Sequence, residues 1–339
     1  MQTFYFLQRL SNIAATIIEG MERVLVIGAC GQLGSELTHE LGKLHGIEHV
    51  IASDISNRNK AIEQFTFVQL DVMDKNAINA VITEYKITQV YHLAAILSAK
   101  GEENPQWAWN LNMTGLINIL EAAKDHQLKK VYWPSSIAVF GPSTPRSQTP
   151  QNTVMDPNTV YGISKLAGER WCEYYFDKYG VDVRSLRYPG LIGYKSLPGG
   201  GTTDYAVDIY HKALAGDDFT SFLSKNTMLP MMYMADAIKA TIDLMQAPKE
   251  QIKVRSSYNV AAFSFTPLEL AETIKKHHPN FGIDFAPDFR QSIADSWPDS
   301  IDDSVARSDW GWQESYTVQD MTDDILDNLP MYFPATEKA

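Results

Sequence analysis

Arg23-Val24-Leu25-Val26-Ile27-Gly28-Ala29-Cys30-Gly31-Gln32-Leu33-Gly34 decides the fold of this 339-residue chain. The run from Arg23 to Ile27 is apolar and β-branched and stops at a glycine, the pattern of a strand buried on both faces. Beyond the turn, Leu33, Leu37, Leu41 and Leu44 recur at spacings of 4, 4 and 3, which predicts a helix. Gly28, Gly31 and Gly34 occupy the turn between them. Glycine allows a sharp bend and a close backbone approach, and the helix start offers unpaired N–H groups and the positive end of its dipole. That combination suits a pyrophosphate. Gly28, Gly31, Gln32, Leu33 and Gly34 are therefore the expected phosphate cradle of a dinucleotide. Cys30 has no histidine or second cysteine near it in sequence and is read as a packing residue rather than a nucleophile.

Outward from that turn, strand and helix alternate with short joins. His49–Ser53, Phe65–Leu70, Gln89–Leu93, Lys130–Pro134 and Val181–Arg187 read as further strands. Lys75–Tyr85, Pro105–Lys124 and Tyr161–Tyr179 read as helices. The alternation predicts an α/β fold, a doubly wound parallel sheet of the Rossmann type. A polar, proline-rich loop from Pro142 to Pro157 is too long for a plain connection and is expected over the site or an interface. Leu197-Pro198-Gly199-Gly200-Gly201-Thr202-Thr203-Asp204 cannot be the interior of a helix or strand. Helical stretches near 204–215, 234–245, 266–276 and 317–329, with short strands such as Tyr258–Ala261, predict a smaller C-terminal lobe. The expected division places 1–20 as an arm outside the core and 21–194, with 231–262 returning to it, as the dinucleotide domain. Residues 195–230 and 263–330 form the substrate lobe, and 331–339 are a tail.

Asp54 ends the second strand, where a carboxylate can accept hydrogen bonds from both adenosine ribose hydroxyls and repel a 2′-phosphate. That favours NAD over NADP, although Arg58 lies close enough to leave some tolerance of NADP. The alternative for Asp54 is an N-cap for a segment beginning at Ser56. Asp71 and Val72 should meet the adenine edge. Leu93, Ala94 and Ala95 are small enough to pass beneath the cofactor, a reading that coexists with tight helix–strand packing.

Tyr161-Gly162-Ile163-Ser164-Lys165 supplies the chemistry. Oxidising an alcohol requires loss of its hydroxyl proton as the hydride departs. A tyrosine can take that proton if its phenol is made more acidic than its usual value of about 10. A lysine at i+4 lies on the same helix face, where its ammonium is expected to lower the phenol and to hold the nicotinamide ribose. Ser136, at the end of the preceding strand, is placed to orient the substrate oxygen. Tyr161 is thus read as base, Lys165 as tuner and ribose ligand, and Ser136 as orienter. Asn112 in the long helix is a further candidate, anchoring a water relay to Lys165.

Composition narrows the classes. A hydrophobic content of 45% fills a sizeable core, and a formal net charge of −12 argues against a nucleic-acid partner. Residues 291–339 hold eleven carboxylates against Arg307 and Lys338, read as a solvated acidic surface. Two cysteines make no disulfide framework, which points to a reduced, cytoplasmic setting. No apolar run approaches the roughly 20 residues of a membrane span. Residues 1–20 are poor in acids, as a mitochondrial leader would be, but hold a single arginine, Arg9. They are read as a non-core arm or the product of a start placed too early at Met1 rather than Met21. No metal site is expected.

These residues resemble the extended short-chain dehydrogenase/reductase family. Ser136-Ile137-Ala138-Val139-Phe140-Gly141 resembles its catalytic serine motif, with Phe140 where tyrosine is more usual. The resemblance narrows to L-threonine 3-dehydrogenases of the short-chain type. It is carried by Trp133-Pro134-Ser135-Ser136, Arg187-Tyr188-Pro189-Gly190-Leu191-Ile192, the Gly-Gly-Gly-Thr-Thr-Asp run at 199–204, Met231-Met232-Tyr233-Met234 and Asp295-Ser296-Trp297-Pro298. It covers about residues 23–330. It implies NAD-dependent oxidation of L-threonine at its β-carbon to 2-amino-3-oxobutyrate. That product either loses CO2 to give aminoacetone or passes to a separate CoA-dependent ligase. A homodimer is also implied, through the helix at Tyr161 and the long helix before it.

The loop chemistry agrees with a small zwitterion. Backbone N–H groups of glycines 199–201, the Thr202 and Thr203 hydroxyls and Ser98 suit its carboxylate. Asp204 is expected either to recognise the ammonium or to cap the next helix. Arg187 is either a carboxylate ligand or a structural ion-pair partner. Trp297 is either a cover over the site or core, and Pro189 should border the nicotinamide. Two rivals remain: a sugar-nucleotide epimerase or dehydratase, disfavoured by the acidic C-terminal lobe, and an NAD-sensing regulator, disfavoured by the intact tyrosine and lysine.

Overall fold

The computed structural model describes residues 22–199 and 201–333. The expected arm, Gly200 and residues 334–339 of the expected tail lie outside the described residues. The first half runs β1 (Val24–Ile27), α1 (Gln32–His45), β2 (Val50–Asp54), β3 (Thr66–Gln69), α2 (Lys75–Tyr85), β4 (Gln89–His92), α3 (Ser98–Glu103), α4 (Pro105–Asp125), β5 (Lys130–Tyr132), β6 (Ser135–Ser136), α5 (Val160–Tyr179) and β7 (Val183–Arg184). Strands β3-β2-β1-β4-β5-β7 form one sheet, parallel throughout. The chain returns from β3 to the far side of β1, and the order reverses beside the glycine turn. Open α/β sheets bind ligands in the crevice at such a reversal. All four residues of β1 are buried, as a central strand covered by helices on both faces requires.

Local chemistry sets the helix ends. The Asp74 carboxylate accepts from the Asn76 and Ala77 N–H groups, and α2 stops at Lys86 in the left-handed region. The Thr159 hydroxyl accepts from Gly162 N–H to start α5, which ends at Gly180. The short α3 was not expected from sequence. Its six residues are too few for a periodic pattern, and it exists because Gly101 lets it pack against Val160 and Ala108.

The second half continues β8 (Leu186–Tyr188), β9 (Gly190–Ile192), α6 (Tyr205–Ala215), β10 (Phe219–Ser221), β11 (Leu229–Tyr233), α7 (Met234–Gln246), β12 (Tyr258–Asn259), β13 (Phe263–Phe265), α8 (Pro267–Lys275), β14 (Ile283–Phe285), α9 (Arg290–Asp295), α10 (Ser304–Trp310) and α11 (Val318–Tyr332). The segment expected as one strand over Val181–Arg187 breaks at Ser185 into β7 and β8. The fifth strand likewise ends at Tyr132, since Pro134 has no N–H to donate. Beyond these breaks β6 and β8 join β12 in a small sheet, and β13-β11-β9 and β10-β14 form two more. The C-terminal elements α6, α8 and α11 pack around Tyr205, Tyr210, Leu270 and Ile325. No described helix is long and apolar enough to cross a membrane.

The proline-rich loop is clamped to the end of the chain. Asp299 and Ser300 N–H groups donate to the Arg146 carbonyl, Thr149 N–H donates to the Ser300 carbonyl, and Asp302 N–H donates back to the Thr149 carbonyl. The Arg146 guanidinium pairs with Asp299 at 2.6 Å. This clamp fixes the segment that carries Trp297.

Candidate active site

A cavity of about 480 Å³ opens at the C-terminal ends of β1, β4 and β6. One end is the glycine turn. Gly28 has φ +87°, and a Cβ there would stand 2.8 Å from the Ala94 nitrogen. A Cβ on Gly34 would stand 2.0 Å from the Gly28 carbonyl oxygen. Gly31 is different: its φ is −75°, and a Cβ would meet only the Gly28 oxygen, at 3.4 Å. Fold packing thus forbids side chains at 28 and 34, while the bare backbone at 31 serves whatever occupies the cavity. No side chain caps α1 and no acid stands in its first turn, so its N–H groups face the cavity without a competing carboxylate. This cradle fits a dinucleotide pyrophosphate.

Asp54 closes the turn from the next strand. Its carboxylate accepts from Cys30 N–H at 3.0 Å and from Ser56 N–H at 2.9 Å. No helix begins at Ser56, so the capping alternative gives way to a local turn that holds Asp54 against the cradle. Burial and the Asp54 charge push the Cys30 thiol up, which suits a packing residue.

At the other end stand Ser136, Tyr161 and Lys165. The Ser136 hydroxyl lies beside the Tyr161 phenol in the cavity wall and accepts from Ala138 N–H at 3.2 Å. The Lys165 Nζ is buried, donates to the Pro134 carbonyl at 2.5 Å, and lies 5.5 Å from the Tyr161 ring centroid and 4.5 Å from that of Trp133. Here the electrostatics differ from the sequence expectation. Burial pushes the Tyr161 phenol up to about 12, opposed by the nearby Ser136 hydroxyl, and pushes Lys165 down to about 7. Removal from water, which disfavours both charged forms, outweighs the attraction that the i+4 spacing promised.

The remaining wall of the cavity is built from α3 and the loop before α6. Ser98 and Thr202, both buried, share a hydrogen bond of 3.2 Å between their hydroxyls. Thr203, Asp204, Pro189 and the buried Trp297 complete this end of the cavity. Asp204 stands at the N-cap position of α6 without bonding its first-turn N–H groups; its carboxylate accepts from Gly201 N–H at 2.9 Å and so holds the loop.

Several expected residues, Asp54 among them, do not line this cavity. Arg187 is a structural ion-pair partner and does not line the cavity. It is 2% exposed and spends all three of its guanidinium nitrogens on the protein, pairing bidentately with Glu169 and donating to the Gln151 carbonyl and Asn259. Asn112 bonds both backbone groups of Ile96 and the Ser164 hydroxyl, on the residue next to Lys165. Val72 is buried against Gly115, and Asp71 accepts from Met73 N–H. Neither lines the cavity. Ala94 packs beneath Gly28, between Leu93 and Ala95, which do line it.

The comparisons with known proteins fit this geometry. The profile of the NAD dependent epimerase/dehydratase family matches residues 24–261. The chain belongs to that family. An uncharacterized epimerase/dehydratase of Staphylococcus haemolyticus is 46% identical over 90% of this chain and 97% of its own length. Among solved structures, a partial consensus L-threonine 3-dehydrogenase is 56% identical with a TM-score of 0.90, covering 91% of this chain and 99% of the other. The GalE-like L-threonine dehydrogenase from Cupriavidus necator, in its holo form, is 55% identical with a TM-score of 0.89 at the same coverage. A monomeric L-threonine 3-dehydrogenase from a metagenome is 45% identical, with a TM-score of 0.88, over 91% of this chain and 99% of its own.

As a member of this family the chain uses NAD, and the cradle of Gly28, Gly31 and Gly34 with the uncapped start of α1 is where its residues fit the pyrophosphate. Sequence reasoning missed two ties between α1 and the loop before α6. Gln32 donates to the Leu197 carbonyl at 2.8 Å, and Glu36 pairs with Lys195 at 2.8 Å. Glu36 carried a legible signal: it sits one turn along from Gln32, on the same face of α1.

Proposed function

We propose that this chain oxidises the 3-hydroxyl of L-threonine with NAD, giving 2-amino-3-oxobutyrate. The observation that carries the reading is the charge inventory of the cavity. Among the described residues lining it, Lys165 is the one cation and Asp204 the one carboxylate. A sugar nucleotide brings a second pyrophosphate, and no arginine or further lysine lines the cavity to receive it. A small hydroxyl-bearing zwitterion suits the Ser98, Thr202 and Thr203 hydroxyls, the nearby backbone N–H groups and the Trp297 wall. The names of the solved relatives support the same substrate.

In this reading the Ser136 hydroxyl holds the alcohol oxygen and Tyr161 takes its proton. NAD, when bound, accepts the hydride. Lys165 loses its proton near pH 7 and Tyr161 near 12, so between these values the pair holds a single proton. The productive arrangement places that proton on Lys165 and leaves a phenolate as base. Oxidation is therefore expected to rise through about pH 7 and then level off. The product, a β-keto acid, loses CO2 or passes to a separate CoA-dependent ligase.

The test is NADH formation from L-threonine, with L-allo-threonine and UDP-glucose in parallel. Net NADH from L-threonine alone is expected, because an epimerase returns its hydride. No NADH from L-threonine overturns the proposal.

A homodimer through α4 and α5 belongs to the same proposal. These helices expose Trp107, Trp109, Ile163, Trp171 and Tyr174, an apolar face of the kind that marks an interface. Light scattering is expected to give twice the chain mass; a single-chain mass, as the name of the metagenomic relative states for that protein, removes the dimer.

A further inference from the structure

Behind the catalytic residues lies a buried ionic group that they do not themselves explain. Glu169 is fully buried on α5, one turn beyond Lys165, at the third step of the spacing Tyr161, Lys165, Glu169. One carboxylate oxygen accepts from the Ser135 hydroxyl at 2.7 Å and from the Arg187 Nε at 2.8 Å. The other accepts from the Arg187 Nη2 at 2.8 Å. Burying a carboxylate and a guanidinium is costly, and a hydrophobic pair of similar volume would often serve stability as well. Ser135 is the neighbour of the orienting Ser136 on β6, and β6 is only two residues long. Its place rests on its pairing with β8 and on this hydrogen bond.

We propose that Glu169 is a positioning residue of the catalytic centre, fixing the strand of Ser136 through Ser135 and holding the positive charge of Lys165 from one helical turn away. The proposal rests on the reading of Tyr161, Lys165 and Ser136 as the reacting set. Other groups facing Lys165 do not supply the negative charge. From α5 these are the Tyr161 phenol and Cys172, whose thiol burial pushes well up. From β4 it is His92, 1% exposed and held neutral at about 3. From the turn after β5 they are the Trp133 ring and the Pro134 carbonyl. Arg187 faces Glu169 from β8 and fixes its carboxylate in place. Burial lowers the proton affinity of Lys165; Cys172 would raise it only as a thiolate, a form that burial disfavours, whereas Glu169, ion-paired as a carboxylate, brings a charge that raises it.

The test replaces Glu169 by Gln and follows Lys165 directly, through the carbon-13 signal of its Cε, assigned by its loss in Lys165→Arg. The Lys165 titration is expected to move to lower pH. Turnover on the plateau should fall about tenfold as fewer pairs hold the proton on Lys165, with the acid limb displaced the same way. Glu169→Asp is run beside it, because the amide faces a buried guanidinium and the variant is at risk of misfolding. The aspartate keeps the charge and should restore the titration towards that of the wild type. Ser135→Ala leaves the ion pair intact and should slow turnover without moving the titration. An unmoved Lys165 titration in Glu169→Gln, or in a folded variant lacking the charge at 169, overturns the electrostatic role; unchanged turnover in Ser135→Ala overturns the strand role. The lysine signal needs no substrate, so failure of threonine as substrate is read separately, from the wild-type protein.

Discussion

Tyr161→Phe is expected to lower turnover of L-threonine about a thousandfold, the middle of the range for a positioned general base. NAD affinity should change little, because the phenol contributes nothing to the pyrophosphate cradle at the far end of the cavity. The loss is expected to be specific because the ring itself is held by parts of the fold that a phenylalanine leaves untouched. Thr159 starts the helix just before it, and Gly162 just after it lies beneath the Ala138 carbonyl, where a Cβ would come within 2.1 Å. The ring therefore stays where it is and only the oxygen is removed. Steady-state kinetics with a fluorescence titration of NAD measures both quantities. Turnover within tenfold of the wild type would remove Tyr161 from the reaction.

The second large effect is expected from one methyl group in the cradle. In Gly34→Ala the new Cβ would sit 2.0 Å from the Gly28 oxygen and 2.9 Å from the Ala29 Cα, both backbone atoms that no rotamer change can move aside. Relief requires α1 to shift away from β1, and α1 packs Leu37 and Leu41 into the core. Overpacking of this kind costs about 3 kcal/mol. The same shift moves the helix start away from the pyrophosphate, and an NAD affinity at least about tenfold weaker is expected. Thermal unfolding and NAD titration report the two losses. Gly31→Ala is the informative contrast, since its Cβ meets no protein atom closer than 3.4 Å. It should weaken NAD binding with little change in stability. Equal melting of the wild type and Gly34→Ala would show that the turn yields more easily than its contacts indicate.

The sequence made the nucleotide half legible because its signals are local. Lys75–Tyr85 is readable to the residue, with Asp74 before it and a left-handed Lys86 after it. The glycine turn announces itself through three positions within seven residues. What stayed hidden depends on partners distant along the chain. Arg187 at the end of a strand admits a substrate or a structural reading, and the choice is made by Glu169 on a helix and Asn259 on another strand. The electrostatic balance at Tyr161 was misread for a related reason. Spacing places Lys165 one turn away, but only the surrounding fold removes both groups from water. One clue was available from spacing alone: Tyr161, Lys165 and Glu169 follow one another at intervals of four, so a carboxylate shares the buried face and must find a cation there.

The clamp between the proline-rich loop and the residues around 300 has a consequence for assembly. Most of the cavity lining comes from the first two hundred residues, and the segment of Trp297 is tied to it through Arg146 and Thr149, which bind the chain about 150 positions later. Closing a span of that length carries an entropy that local propensity does not offset. The nucleotide cradle, by contrast, joins residues no more than about seventy positions apart, Gly28 to Ala94 being its longest span. The two halves of the cavity therefore differ in autonomy: one is assembled within the first hundred residues, and the other needs the middle of the chain and residues near 300 to have met.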